Sequence, residues 1–254
     1  MELAPKPRTV LTVLIANAGG IVPVSALARE VWGDSRPVSA LRNLQTYIFQ
    51  SRKVLSQFTG LSLRGVASEF LMTRPGGYSF TNTAARFDYS SYRNLVVDGR
   101  RMLRKGADDE AIELFEDALS IWRGPAFVDV MRGPTLETQR RQFEESRIGV
   151  IESLSDAKIR VGNYHEAIAD LAASISEHPL HEGIHYRYMR ALHLTGHRAR
   201  ALDVFNTLRS NLVSELGIEP GAPVQRLQHS ILNSSGPDYT APYPPSTGRI
   251  IPVA

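Results

Sequence analysis

The chain has no cysteine, which excludes disulfides and thiolate metal sites and fits a reducing, cytoplasmic setting. No apolar run approaches the roughly 18 residues that a helix needs to cross a bilayer, so no membrane partner is expected. There is no Gly-x-x-x-x-Gly-Lys-Ser/Thr stretch, so the phosphate-cradling loop of a nucleotide-hydrolysing module is missing. His181 with His185, and His193 with His197, have the spacing of helical metal ligands, yet no carboxylate is placed to complete a site. Glu144 and Glu145 are neighbours in sequence and point apart on a helix, so they make no acid/base pair. These absences argue against an enzyme and leave no cofactor to expect.

The formal net charge of +3 is unremarkable, but the charges are unevenly placed. Residues 1–86 hold ten Lys/Arg against four Asp/Glu, whereas residues 87–254 hold nineteen against twenty-two. A basic segment joined to a mildly acidic one suits a polyanion at one end and a protein at the other. Lys6, Arg8, the apolar run Val10 to Ala16 and Ala16-Asn17-Ala18 imitate a signal peptide. The run is short for that purpose and Thr12 interrupts it, and the same residues also make an amphipathic helix.

The basic segment is organised around Ser39 to Gln57. On a wheel of about 100° per residue centred on Leu44, the side chains of Leu41, Ile48 and Leu55 fall within roughly 60° and form a core face. Arg42, Thr46, Phe49, Gln50 and Lys53 fall on the far side. Those groups suit a DNA groove: Arg42 for guanine or phosphate, Asn43 and Gln50 for adenine, Thr46 for a thymine methyl, and Lys53 for phosphate. A solvated helix face carries the same residue types, so the helix by itself leaves both readings open.

Its neighbours supply the context. Pro7 suits a first helical turn, and Leu11, Leu14, Ile15 and Ala18 follow at helical spacing until Gly19-Gly20. Ile21 to Val24 reads as an extended link. Ser25 to Trp32 reads as a second helix stopped by Gly33, and Ser39 as the N-cap of the third. Phe70 to Arg74 and Tyr78 to Phe80 flank Pro75-Gly76-Gly77, a hairpin signal. Three helices followed by a β-hairpin wing make a winged helix-turn-helix.

Residues 6–80 resemble the OmpR-type winged helix, and more narrowly its version in the Streptomyces antibiotic regulatory protein (SARP) family. The resemblance rests on Arg29-Glu30-Val31-Trp32-Gly33, Leu44-Gln45-Thr46-Tyr47-Ile48, Arg52-Lys53-Val54-Leu55 and Thr73-Arg74-Pro75-Gly76-Gly77-Tyr78, in that order. It implies that Arg42, Asn43, Thr46, Tyr47, Gln50 and Arg52 lie on the groove side, with Tyr47 and Arg52 assigned by the family alone. It further implies that Trp32 meets a phosphate through its indole N–H, where the plain alternative is an aromatic closing the core. Arg74 at the wing tip would enter the minor groove. OmpR-type domains usually place a four-stranded sheet before the first helix, and only five residues precede Lys6. On that reading the sheet is missing and part of helix one is exposed, unless the true start lies upstream of Met1. Pro23 stands where relatives carry a Ser cap.

From Phe87 onward helical periodicity takes over. Gly106, Gly162 and Gly196 are each followed at five residues by an alanine (Ala111, Ala167, Ala201) and at nine by a large apolar residue (Phe115, Leu171, Phe205). Gly162 and Gly196 stand 34 apart, the tetratricopeptide period, and Pro179 ends the second segment. Trp122-Arg123-Gly124-Pro125-Ala126, Glu177-His178-Pro179-Leu180 and Glu215-Leu216-Gly217-Ile218-Glu219-Pro220-Gly221 resemble landmarks of the same family's second half, the bacterial transcriptional activation domain. Pro237, Pro242, Pro244, Pro245 and Pro252 mark a disordered tail.

The expected protein is therefore mainly α: a winged-helix domain over 1–86, a tetratricopeptide-like all-α domain over 87–232, and a tail over 233–254. The resemblance implies a homodimeric activator of secondary-metabolite (antibiotic) genes that binds promoter direct repeats and contacts RNA polymerase holoenzyme. The alternative is a tetratricopeptide scaffold whose basic domain binds protein rather than DNA.

Overall fold

The computed structural model describes residues 3–81 and 88–233. The tail signalled by the prolines lies outside the described residues, as does the expected junction at residues 86 and 87. The described residues are mainly helical, with eleven helices and three short strands. The described residues fall into two compact units that divide between Ile151 and Glu152.

In the first unit α1 (Pro5–Ala16) opens with two prolines in its first turn, where a missing N–H costs nothing. It begins two residues earlier than Pro7 and ends before Ala18, which is exposed. The link at Ile21 to Val24 is more than a connector. β1 (Ile21–Pro23) pairs antiparallel with β3 (Gly77–Phe80), which pairs with β2 (Leu71–Arg74), so the wing gains a third strand in the order β1-β3-β2. Arg74 faces Gly77 across the hairpin, leaving Pro75-Gly76 as the loop with Gly76 at φ +77°. That is the residue order of a type II turn. A Cβ at Gly77 would collide with the Val22 carbonyl of β1, so the third strand requires glycine there.

α2 (Val24–Trp32) starts directly after Pro23 with no side-chain cap, and α3 (Ala40–Thr59) follows the turn. Two details of α3 depart from expectation. Ser39 occupies the cap position but makes no capping bond; its hydroxyl accepts from the Asn43 amide instead, at 3.2 Å. Leu41 is 54% exposed, because it stands at the edge of the apolar stripe in a first turn whose inward position is taken by Ala40. Leu44, Ile48, Ser51 and Val54 are buried as the stripe continues, and Leu55 is half-buried. A fourth helix, α4 (Leu63–Glu69), lies before the wing and was not foreseen; the Ser62 hydroxyl caps it by accepting from the Gly65 N–H at 3.1 Å. The core of this part joins Val10, Val13 and Leu14 of α1 to Leu27, Leu44, Ile48, Leu71 and Phe80.

Helix one is not left exposed. Thr9, Val10, Val13 and Leu14 are essentially inaccessible, and the cover comes from over a hundred residues away. Phe127 and Val130 pack on the same core, and Leu136, in the first turn of α7 (Pro134–Val161), is wholly buried in it. Thr9 Oγ1 donates to the Met131 carbonyl at 2.9 Å, Arg8 donates to the Asp129 carbonyl at 3.2 Å, and Gln139 Nε2 donates to Asn17 Oδ1 at 3.3 Å. The buried carboxylate of Glu30 on α2 accepts from the N–H groups of Gly133, Thr135 and Leu136 at 2.8, 2.8 and 3.0 Å. Those are the unpaired donors at the start of α7, where the helix dipole favours negative charge. Gly133 passes so close to the Glu30 backbone that a Cβ would collide with it.

The rest of the first unit is the hairpin of α5 (Asp88–Lys105) and α6 (Asp108–Ser120). Gly106 turns it at φ +75°, and Gly99 leaves room for the buried Phe115 ring. In the second unit the end of α7 is followed by α8 (Tyr164–Glu177), α9 (Glu182–Leu194), α10 (Arg198–Leu216) and α11 (Ala222–Asn233), with α9 packed on α8, α10 and α11. Gly162 and Gly196 sit at these turns with φ +87° and +79°, and Ala167, Leu171, Ala201 and Phe205 are buried, as the shared register required. Lys158 pairs with Asp170 at 2.8 Å, and Arg187 ties Glu152 to Asp156 at 2.8 Å each. Gly217 ends α10 in the left-handed conformation, and Arg209 grips Glu219 with two bonds of 2.6 Å.

Candidate nucleic-acid interface

α3 runs for 20 residues with no Asp or Glu. Its solvent face carries Arg42, Gln45, Thr46, Phe49 and Lys53, all exposed, with Asn43 and Gln50 half-exposed beside them. Arg42, Thr46, Phe49 and Lys53 follow one another along a single stripe at steps of three or four residues, as neighbours on one helix face do. The Thr46 hydroxyl donates back to the Arg42 carbonyl at 3.1 Å. Gln45 and Phe49 belong to this surface although neither was assigned a role. Phe49 already stood on the far side of the wheel, and its 55% exposure was the missing information.

The flanks are held differently. Tyr47 stacks on Trp32 with ring centroids 6.0 Å apart and 27° between planes, and Lys6 Nζ lies 5.7 Å from the Trp32 ring. Trp32 is half-buried at the edge of the core, so it both closes that core and presents an edge to solvent. Arg52 turns toward the wing: Nε and Nη2 donate to the Leu71 carbonyl at 3.0 and 2.7 Å, and Nη2 also reaches the Thr73 hydroxyl at 3.0 Å. Burial pulls its guanidinium below the ordinary value, partly offset by Tyr78. Arg74 is exposed at the wing tip, with Nε donating to Ser79 Oγ at 3.2 Å. The structure thus brings Arg42, Asn43, Thr46, Gln50 and Lys53 onto one surface, sets Trp32 and Tyr47 at its margin, and leaves Arg52 bridging α3 to the wing.

That bridge has a measurable consequence. Arg52→Lys offers one donor point where the fork supplied three contacts, and is expected to cost about 1–3 kcal/mol in urea unfolding. A variant with wild-type stability would show that the bridge contributes nothing.

His181 and His185 serve local structure. His181 caps α9 by accepting from the Ile184 N–H through Nδ1, and His185 is buried, which lowers its pKa. No group of three or more His, Cys, Asp or Glu is disposed to hold a metal among the described residues, and no helix there is long and apolar enough to cross a membrane.

Comparison with known proteins finds a family match in each half of the chain. Residues 87–232 match the family described as bacterial transcriptional activator domain, and residues 1–78 match the C-terminal domain of transcriptional regulatory proteins. Regulatory protein DnrI of Streptomyces peucetius is 39% identical over 98% of this chain and 92% of its own length. Transcriptional regulator RedD of Streptomyces coelicolor is 32% identical over 90% of this chain and 64% of its own. Among solved structures, Mycobacterium tuberculosis EmbR, determined in complex with a low affinity phosphopeptide, superposes with a TM-score of 0.80 at 27% identity. The match covers 91% of this chain and 59% of that one.

Proposed function

The chain belongs to the Streptomyces antibiotic regulatory protein family of transcriptional activators, and from that premise we propose that it binds promoter DNA through α3 and the wing. The observation that carries the reading is the acid-free outer stripe of α3, which begins with Arg42 and ends with Lys53. Arg42, Asn43, Thr46 and Gln50 read base edges in the major groove, and Phe49 covers a thymine methyl or sugar. Lys53, Tyr47 and Trp32 hold phosphates, which fix register without reading sequence. Arg74 enters the adjacent minor groove. Arg52 is a positioning residue, setting the wing at a fixed angle to α3.

The targets are secondary-metabolite genes, approached as direct repeats by a homodimer that also contacts RNA polymerase holoenzyme. Residues 1–86 select the DNA and residues 87–232 supply the dimer and polymerase surfaces. The site of action is the cytoplasm, at the nucleoid. No step is catalytic and no cofactor is required.

Base selection among randomised operators tests the division of labour on α3. Gln50→Ala is expected to lose about 1–3 kcal/mol of discrimination at one base pair. Lys53→Ala is expected to weaken all sequences alike and to flatten the salt slope by about one unit. An unchanged base preference in the Gln50 variant removes Gln50 from the reading set.

A further inference from the structure

The loop after α6 borders a half-open cavity to which the proposed DNA reading assigns no role. It measures about 440 Å³ and is bounded by α1, the start of α5, residues 121–130 and α7. That volume falls within the range of small-molecule sites, roughly 300–1,000 Å³. Its walls are aromatic: Tyr89 lies 4.4 Å from Phe143, Phe127 lies 5.4 Å from Phe143, and Trp122 meets Tyr92 edge-on at 5.7 Å. Arg147 covers the Trp122 ring at 5.3 Å.

The rim carries hydrogen-bonding groups without net charge. Arg8 pairs with Asp129 at 3.5 Å and Arg123 with Asp88 at 3.2 Å, so two cations and two anions face the mouth. Phe127 holds φ +57°, the one positive φ at a residue other than glycine among the described residues. Such backbone costs free energy and persists where the surrounding structure imposes it, often at ligand sites. Phe127 is among the residues that line the cavity.

We propose that this cavity binds a planar aromatic small molecule of no net charge that carries hydroxyl or carbonyl groups at its edge. The rings supply stacking faces, which favour a flat π-system over a saturated one of equal size. The balanced rim favours a neutral ligand, because an ion would lose hydration without a field to replace it. The walls also bear on the rest of the unit. Asp129 and Met131, at the end of the same loop, receive Arg8 and Thr9 of α1, so a ligand that orders residues 121–130 stabilises the cover over the winged-helix core.

Titration calorimetry of the full chain with 2-naphthol as the probe tests the proposal. The chain has two tryptophans, so Trp32→Phe leaves Trp122 as a fluorescence reporter of the same event. One saturable site is expected, with a change in Trp122 emission. Decahydro-2-naphthol, of similar shape without π-electrons, is expected to bind roughly three- to tenfold more weakly, and naphthalene-2-sulfonate about tenfold more weakly. Thr12→Phe and Ala126→Phe fill the cavity and are each expected to weaken 2-naphthol at least about tenfold. Should either fail to fold, Tyr89→Leu decides: it removes a half-exposed ring at the mouth and is expected to cost several-fold in affinity. No saturable binding up to about 1 mM, equal binding of the saturated alcohol, or binding indifferent to every variant that keeps its melting temperature would overturn the assignment.

Discussion

Glu30→Ala is expected to lower the melting temperature of the first unit by roughly 6–16 °C, corresponding to about 3–4 kcal/mol for a unit of this size. The carboxylate accepts from three N–H groups at the start of α7, and it is 5% exposed. An alanine leaves those donors without a partner where little water reaches them, at a cost of about 1–3 kcal/mol for each that stays dry. Relaxation of the first turn recovers part of this, so the three costs do not add in full. Glu30→Gln keeps an acceptor oxygen but loses the charge that faces the helix dipole, and is expected to cost about half as much. Thermal unfolding of the three proteins, followed by circular dichroism, gives the order directly. An alanine variant within about 0.5 kcal/mol of wild type would mean that the contact is a surface interaction of ordinary worth.

The second large effect comes from cutting the chain at residue 86. Residues 1–86 alone lose Leu136, Phe127 and Val130 from the core, and with them every partner of Glu30 named above. Burial of Leu136 alone contributes about 1.5–3 kcal/mol, and a domain this small has little stability to spare. The side of α1 that residues 127–139 cover, around Arg8, Thr9 and Asn17, then meets solvent beside a core left open where Leu136, Phe127 and Val130 were, which promotes self-association. The 1–86 fragment is expected to be marginally folded or associated at 25 °C, whereas the 1–151 fragment, which restores the cover, is expected to unfold cooperatively. Residues 1–151 keep the base preference but bind DNA only at much higher protein concentration, since a single half-site lacks the avidity of two. Neither fragment is expected to activate transcription on a promoter template with purified polymerase. Analytical ultracentrifugation and denaturation of both fragments test the stability claim, and a well-behaved cooperative monomer of 1–86 contradicts it.

What the sequence disclosed, and what it hid, follows from the range of the interactions. The α3 stripe, the hairpin of the wing and the three glycine turns are local patterns, and each appears where the sequence placed it apart from Leu41 at the exposed start of the stripe. Seven-residue α4 holds Gly65 in its middle and depends on the Ser62 cap, too short a signal to separate from loop. β1 is three residues ending in proline, and it becomes a strand only because Gly77 lets β3 approach it. Glu30 looks like an ordinary exposed acid on an amphipathic helix; its burial depends on residues more than a hundred positions later. Arg52 was placed at the groove by resemblance, and its bonds to the wing depend on a chain reversal that the helical wheel of α3 does not contain.

The most direct test of DNA reading by α3 is a footprint of the full chain on promoter fragments from the gene cluster around its own gene, at about 150 mM salt with excess competitor DNA. Discrete protected repeats are predicted, spaced by about one helical turn or a multiple of it, surviving the competitor and losing definition at one base pair in the Gln50→Ala protein. Binding that competitor DNA abolishes at that salt, or no protected sites at all, would contradict sequence reading by this helix and favour a protein partner for the basic face.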